Sequence, residues 1–193
     1  MLGGGAGRRL GGVDKALVPL GGRPLIAHVL ERLAPQVGTL AISANGDAAR
    51  FARFGLAVLP DPDGGAGAGP LAGLLAGLDW AAALGAPALV TVAVDTPYVP
   101  RDLVERLVAA AGAGGLALAA TTGGGGPALH PTAGLWPAAL RDRLRAALAA
   151  GVRRLGDWAT EQGARTAAFT DEAAFLNINS PDDLARAEEM LSR

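Results

Sequence analysis

Residues 87–95, PALVTVAVD, form a nearly continuous apolar run that ends on a single acid. An unbroken run of this length is typical of a strand that is buried on both faces of a parallel sheet. Helical patterns flank it on both sides, at residues 69–85 and 100–112. This order of elements predicts a central strand of an α/β sheet, with Asp95 at its carboxyl end.

The same alternation continues in both directions along the chain. Short apolar runs predict strands at 38–45, 56–61, 115–122 and 164–170, and helical patterns lie at 24–37, 47–55, 137–149, 153–162 and 180–193. We therefore predict a single α/β domain over residues 1–193, with a three-layer, Rossmann-like, doubly wound and mostly parallel sheet that has helices on both faces. Ligands bind such sheets at the carboxyl ends of the strands.

The composition excludes several classes of protein. The net charge of −1 gives no electrostatic footprint for nucleic acid or for an anionic membrane. The absence of cysteine excludes disulfides, zinc–thiolate sites and thiol nucleophiles. No apolar run reaches the roughly 18 to 20 residues that span a bilayer, and the first 20 residues do not have the pattern of a signal peptide. We expect a cytoplasmic protein that binds neither nucleic acid nor membranes.

The chain begins with a glycine-rich stretch, LGGGAGRRLGGVDK at residues 2–15. It fits neither the dinucleotide-binding motif G-x-G-x-x-G nor the P-loop, since Lys15 follows an aspartate instead of a glycine. A glycine turn with exposed backbone N–H groups, followed by Arg9 and by Lys15, the single lysine of the chain, can still hold a triphosphate. The alternative is a flexible tail in a glycine-rich protein.

The order of motifs resembles the nucleotidylyltransferases, and most closely the molybdenum cofactor guanylyltransferases. The resemblance covers essentially the whole chain and rests on LGGGAGRRLGGVDKALVPLGGRPL (2–25), SAN (43–45), LPD (59–61), GPLAGLLAGL (69–78), VDTPYVP (94–100), HPTAGLW (130–136) and FLNINSPDDLARAEE (175–189). It implies a fold of the nucleotide-diphospho-sugar transferase type. It also implies transfer of GMP from GTP to the terminal phosphate of molybdopterin, or of its molybdenum-loaded form, with release of pyrophosphate and with Mg2+ as the metal.

The resemblance assigns roles to individual positions. Arg9, Lys15 and Asp95 are the expected catalytic residues, and Asp95 is the expected Mg2+ ligand. The expected nucleotide-binding residues are Leu2, Gly3, Gly4, Gly5, Lys15, Ser43, Asp61, Gly69, Gly73 and Asp95, and Asn177 and Asn179 are assigned to the pterin side of the site. Asp61 would recognise guanine, because a carboxylate accepts hydrogen bonds from its N1–H and N2–H groups together. The expected partners are GTP, molybdopterin, and the molybdoenzymes or chaperones that receive the product.

Several residues have a structural explanation instead. Ser180 and Pro181 form the start of a helix, as N-cap and first helical residue. Gly77 is expected to allow close packing of a helix, and Asn45 is either a site residue or a polar strand end. His130 is expected to be structural, although HPT borders the pterin pocket in the family that the chain resembles.

Alternative functions stay open at this point. One is a related transferase that uses CTP or a sugar phosphate, and another is a nucleotide-binding protein without catalysis. The family's first strand is almost absent, because only Met1 and Leu2 precede Gly3. We expect further apolar residues to be encoded upstream of Met1, since the first strand is central in a doubly wound sheet.

Overall fold

The structure, a computed structural model, describes residues 1–3, 6–7, 13–62, 69–123 and 126–192. Its strands are β1 (Ala6–Gly7), β2 (Val13–Asp14), β3 (Pro19–Leu20), β4 (Arg23–Pro24), β5 (Ala41–Ser43), β6 (Ala57–Leu59), β7 (Ala88–Thr91), β8 (Ala117–Gly123), β9 (Gly126–Pro137) and β10 (Arg165–Phe169). Its helices are α1 (Leu25–Leu33), α2 (Pro70–Ala83), α3 (Leu103–Ala111), α4 (Arg141–Ala149), α5 (Leu155–Glu161) and α6 (Pro181–Leu191). Within the described residues, no helix has both the length and the apolar character needed to cross a membrane. The predicted α/β class is confirmed.

Residues 1–3 lie at the centre of the main sheet. Leu2 forms parallel bridges with Ser43 at the end of β5 and with Ala93 just beyond β7. The Leu2 N–H donates to the Val92 carbonyl over 2.7 Å, and the Gly3 N–H donates to the Ser43 carbonyl over 2.8 Å. The strand order is therefore β6, β5, residues 1–3, β7, β9, β8, β10. Four neighbouring parallel segments, β6, β5, residues 1–3 and β7, consequently end on the same side of the sheet.

The long strand β9 differs from the sequence prediction. It runs antiparallel to both β7 and β8, whereas the other neighbours in the sheet are parallel. Prolines at 127, 131 and 137 argue against a strand in the sequence, because proline cannot donate to a sheet ladder. The structure accommodates Pro131 in a register shift: Leu118 faces Gly134, but Ala119 faces His130. The residues between them bulge out of the ladder, which is how strands re-aim side chains beside functional sites.

Two hydrophobic clusters cover the two faces of the sheet. Neighbouring residues of β8 point to opposite faces, so Leu118 joins a cluster with α2, α4 and α5 whereas Ala119 joins one with α1 and α3. On the first face, Trp136 of β9 stacks on Trp158 of α5 with ring centroids 6.0 Å apart. These clusters form the three layers that the alternation predicts. The predicted helix at 47–55 is a 3₁₀ helix, Ala48–Phe54.

The C-terminal helix packs beside the beginning of the chain. The hairpin of β3 and β4 turns at Gly21 and Gly22, whose φ angles of 55° and 77° suit a tight two-residue turn. Leu20 of this hairpin packs in a buried cluster with Ile178 and with Ala187 of α6. Ser180 caps α6 in a capping box with Asp183, and Pro181 follows as its first residue, which confirms the predicted helix start.

Candidate active site

A cavity of about 200 Å³ opens at the edge where the parallel segments end. Nine of the residues predicted for the site line it: Leu2, Gly3, Lys15, Ser43, Asp61, Gly69, Gly73, Asp95 and Asn177. The predicted residues Gly4, Gly5 and Arg9 lie outside the described residues. The cavity has two polar ends, which we name the Asp95 end (Lys15, Asp95 and Asn179) and the Asp61 end (Ser43, Asn45 and Asp61).

An ion pair forms the centre of the Asp95 end. The Lys15 Nζ donates to Asp95 Oδ2 over 2.7 Å, and these side chains are only 15% and 12% exposed. Lys15 also donates to the side-chain oxygen of Asn179. Lys15 opens a 3₁₀ turn, Lys15–Leu17, and Asp14 caps this turn by accepting from the Ala16 N–H over 3.0 Å. The cap fixes the backbone from which the lysine reaches into the cavity.

Asp95 carries an oxygen without a partner. Its Oδ1 is buried and has no hydrogen bond among the described residues, although Oδ2 is paired with Lys15. A buried unpaired carboxylate oxygen is costly, and a divalent cation would satisfy it. Among the described residues no cluster of three His, Asp or Glu side chains forms a metal site. This donor set fits Mg2+, which proteins bind through one or two carboxylates together with substrate phosphates and water.

The Asp61 end is a network of hydrogen bonds around one carboxylate. Asp61 Oδ1 accepts from the Ser43 hydroxyl over 3.2 Å, and Oδ2 accepts from the Asn45 side-chain amide over 2.8 Å. The Asp61 N–H in turn donates to the Asn45 side-chain oxygen over 2.9 Å. Asn45 therefore orients the whole of Asp61. The sequence analysis named Asn45 but left its role open, because reciprocal bonding across 16 residues has no local signal.

Two glycines of helix α2 allow it to approach strands β5 and β7 below the cavity. A Cβ at Gly73 would lie 2.6 Å from the Ser43 hydroxyl oxygen, and a Cβ at Gly77 would lie 2.7 Å from Leu89. Gly69 caps α2 with a φ of 56°, which a side chain would strain. Gly73 thus lines the cavity and also leaves room for Ser43, while Gly77 has the packing role that the sequence predicts.

The two predicted pterin-side asparagines occupy different places. Asn177 lines the cavity, whereas Asn179 bonds to Lys15. The backbone N–H of Asn179 donates to Asp183 of the capping box over 3.0 Å. The hydrogen bond from the Ser180 hydroxyl, together with those from the backbone N–H groups of Asn179 and Ser180, lowers the pKa of Asp183. Lys15 donates to two acceptors, Asp95 and Asn179. The capping box at the start of α6 therefore holds the second of them, Asn179, in place.

A second cavity of about 260 Å³ adjoins the first and shares Ala93, Thr132 and Asn177 with it. The bulged residues of β9 line it. His130 stacks face to face on Phe175, with ring centroids 4.2 Å apart, and its Nε2 lies 3.0 Å from the Thr121 hydroxyl. Burial lowers the pKa of His130, which favours the neutral imidazole.

A further cavity lies elsewhere and has a different character. It measures about 330 Å³, lies between α2 and the strands near Met1, and is lined mainly by aliphatic residues. The Met1 amine at its edge donates to the Ala41 carbonyl over 2.7 Å, and burial lowers the pKa of this amine to about 5. No charged side chain among the described residues lines this cavity, whereas Lys15, Asp61 and Asp95 line the cavity of about 200 Å³.

Comparisons with known proteins identify the family of the chain. Residues 1–165 match the family model of the MobA-like NTP transferase domain. The chain is 56% identical over its full length to a molybdenum cofactor guanylyltransferase from Cereibacter sphaeroides, of which it covers 96%. It is 52% identical to the protein of the same name from Rhodobacter capsulatus, with 99% of this chain and 94% of that protein aligned.

Solved structures show the same fold. The chain superimposes on molybdopterin-guanine dinucleotide biosynthesis protein A from Archaeoglobus fulgidus with a TM-score of 0.74 and 26% identity, covering 99% of this chain and 96% of that one. A 4-diphosphocytidyl-2C-methyl-D-erythritol synthase from Anaerococcus prevotii gives a TM-score of 0.78 at 12% identity, over 100% of this chain and 94% of that one, which is a likeness of fold alone. On its family match and its relatives, the chain belongs to the MobA-like NTP transferase family.

Proposed function

We propose that the protein transfers GMP from GTP to the terminal phosphate of molybdopterin, releases pyrophosphate and forms the guanine dinucleotide of the molybdenum cofactor. The observation that carries the proposal is the meeting of Lys15 and Asp95 at 2.7 Å in the cavity that holds Asp61. The relatives named molybdenum cofactor guanylyltransferase support the choice of substrates.

The Asp95 end provides the reaction centre. Attack of the acceptor phosphate on the α-phosphate of GTP places negative charge on oxygens that Lys15 can reach when it leaves Asp95. A phosphate monoester is already anionic at neutral pH, so the reaction needs no strong general base. Catalysis then consists mainly of positioning and of electrostatic stabilisation.

Asp95 would hold Mg2+ through its unpaired Oδ1, and the bound metal would neutralise charge on the phosphates. Lys15 pairs with the other oxygen of the carboxylate, and Asn179 holds Lys15 by accepting a second hydrogen bond from it. The protein's own contribution is a carboxylate that lines the cavity and has one unpaired oxygen.

The Asp61 end provides the selection of the base. Guanine presents N1–H and N2–H donors side by side, and a carboxylate accepts both. Adenine and cytosine do not offer this pair. Ser43 and Asn45 already hold the Asp61 carboxylate, so binding requires little reorganisation of this group. Its oxygens have lone pairs left for the base.

We assign the acceptor to the adjoining cavity. It opens into the nucleotide cavity beside Asn177, and the face-to-face pair of His130 and Phe175 gives it a flat aromatic wall. Flat heteroaromatic rings such as a pterin pack well beside such a wall.

The test is incubation of the protein with molybdopterin, Mg2+ and one of GTP, CTP or ATP. We expect pyrophosphate and a dinucleotide pterin with GTP and little product with the other two nucleotides. A higher kcat/KM with CTP would refute the guanine assignment and favour a cytidylyltransferase. Nucleotide binding without pyrophosphate release would refute catalysis.

A further inference from the structure

Arg50 joins two segments that carry opposite ends of the nucleotide cavity. Its Nε donates to Asp14 Oδ2 over 2.7 Å. Its Nη2 donates to the Asn45 carbonyl over 2.5 Å, and its Nη1 donates to the Asp47 carbonyl. The guanidinium therefore contacts a carboxylate on one segment and two carbonyls on another.

Each of these segments positions a group of the site. Asp14 caps the turn that begins at Lys15, through its other oxygen. Asn45 holds Asp61 through two hydrogen bonds of its side chain. An uninterrupted chain of contacts thus runs from the lysine of the Asp95 end, through Arg50, to the carboxylate of the Asp61 end.

The support for Arg50 is rigid. It lies on the 3₁₀ helix Ala48–Phe54, which the fully buried Phe51 anchors in the core. The guanidinium lies over the Phe51 ring, 4.5 Å from its centroid. The side chains of Arg50 and Asp14 are 24% and 21% exposed, so solvent screens their ion pair less than a surface pair.

We propose that Arg50 is a positioning residue that sets the distance between the Lys15 turn and the Asn45–Asp61 pair, and so couples guanine recognition to phosphate binding. The proposal rests on the proposed function. Guanine and the triphosphate belong to one ligand, so a nucleotide can use both ends fully only when their separation is fixed. None of the described hydrogen bonds of Arg50 goes to Lys15 or to Asp61.

Two substitutions of Arg50 separate its ion pair with Asp14 from its hydrogen bonds to the Asn45 and Asp47 carbonyls. Lysine at this position keeps a cation for Asp14 but lacks the planar fork that reaches two carbonyls. Glutamine removes the ion pair as well. Arg53→Gln is the matched control, because Arg53 is an exposed arginine of the same 3₁₀ helix whose described contact is with the neighbouring Phe54 ring.

The experiment measures kcat and KM for GTP and for inosine triphosphate, which lacks the N2 amino group, and KM for molybdopterin. For Arg50→Lys we expect a fall of roughly tenfold in the preference for GTP over inosine triphosphate, with kcat retained, as for coupled neighbouring groups. For Arg50→Gln we expect the same loss and a lower kcat. KM for molybdopterin should stay unchanged, and thermal unfolding checks the fold of each variant.

The outcomes distinguish this proposal from the proposed function. If the unaltered protein prefers GTP, and Arg50→Lys and Arg50→Gln keep the parameters of Arg53→Gln, the role of Arg50 is refuted while the function stands. If the unaltered protein does not prefer GTP, the proposed function fails and the role of Arg50 falls with it. If Arg50→Gln does not fold, the Arg50→Lys result decides.

Discussion

The two ends of the cavity differ in how completely their polar groups are paired. At the Asp61 end, both oxygens of the carboxylate accept hydrogen bonds from neighbouring side chains. At the Asp95 end, one oxygen pairs with Lys15 and the other is buried without a partner in the described part of the chain. Both oxygens of the Asp61 carboxylate are hydrogen-bonded before any ligand arrives, whereas the Asp95 carboxylate has one unpaired oxygen.

Under the proposed function, this difference separates recognition of the base from the reaction. A preformed network would bind a base with little rearrangement, which favours discrimination. The incomplete end would change partners when phosphates and a cation arrive, because Lys15 would have to leave Asp95 to reach the phosphates. Substitutions at the Asp61 end should therefore alter the choice of nucleotide, and substitutions at the Asp95 end should alter the rate.

The largest effect is expected for Lys15→Ala. Removing the lysine takes away charge stabilisation of the transition state, and kcat should fall by roughly 10² to 10³-fold in steady-state assays. The loss also leaves Asp95 without its cation, so Mg2+ alone should raise the melting temperature of the variant more than that of the unaltered protein. Lys15→Arg, which keeps the charge, should show the smaller shift. Near-normal turnover of Lys15→Ala would contradict the role of this end.

Asp61→Asn should act mainly on the choice of nucleotide. An amide presents a donor where guanine also donates, so kcat/KM for GTP should fall roughly 10²-fold and the preference over ATP should shrink, as competition assays would measure. The rate at saturating GTP should change little, because Lys15 and Asp95 are untouched. Ser43→Ala removes a single donor and should have a milder effect. An equal fall in kcat would show that the two ends are not separate.

In a chain that begins at Met1, the buried amine of this residue should make the stability depend on pH. The Met1 amine has a pKa of about 5 in the folded chain, against about 8 when exposed, and the Met1 carbonyl accepts from the Ser43 N–H over 2.9 Å. Between pH 5 and 8 the unfolded chain binds a proton that the folded chain does not, so the free energy of unfolding should rise with pH. Denaturant titrations of the 193-residue chain should give a value about 2 kcal/mol lower at pH 6 than at pH 8. N-terminal acetylation should remove this contribution, and an unchanged slope after acetylation would contradict it.

The smallest effect is expected for Gly73→Ala. The added methyl group would lie 2.6 Å from the Ser43 hydroxyl oxygen and would push it away from Asp61. We expect a rise in KM for GTP of a few-fold and a loss of about 1 kcal/mol in unfolding free energy, measured by kinetics and by chemical denaturation. Gly38→Ala is the control, because a Cβ there meets nothing within 4 Å. Equal effects of the two substitutions would contradict the packing argument.

The sequence predicts the layers of the fold better than it predicts one strand. Apolar runs and helical periodicity depend on local composition, so the α/β alternation is readable. Strand β9 cannot be predicted in this way. Its prolines and Gly134 argue against a strand when only neighbouring residues in the sequence are considered. Pairing with β7 and β8 on both sides overrides that local preference.

For the site, the sequence predicts residues that line the cavity but not the contacts that hold them in place. The motif resemblance places Lys15, Ser43, Asp61 and Asp95 in one cavity, where the structure also has them. It does not predict that Asn179 contacts Lys15, that Asn45 holds Asp61 or that Arg50 bonds to Asp14. These contacts depend on side-chain directions in the folded chain, and their sequence separations leave no local pattern.

The bond between Lys15 and Asn179 spans 164 positions, almost the entire chain. Asn45 and Asp61 are therefore synthesised long before the segment that supports the lysine. The contact of Lys15 with Asn179 can form only after the segment that leads into α6 has been made. We expect a truncated chain that stops before Asn179 to lack this support for Lys15.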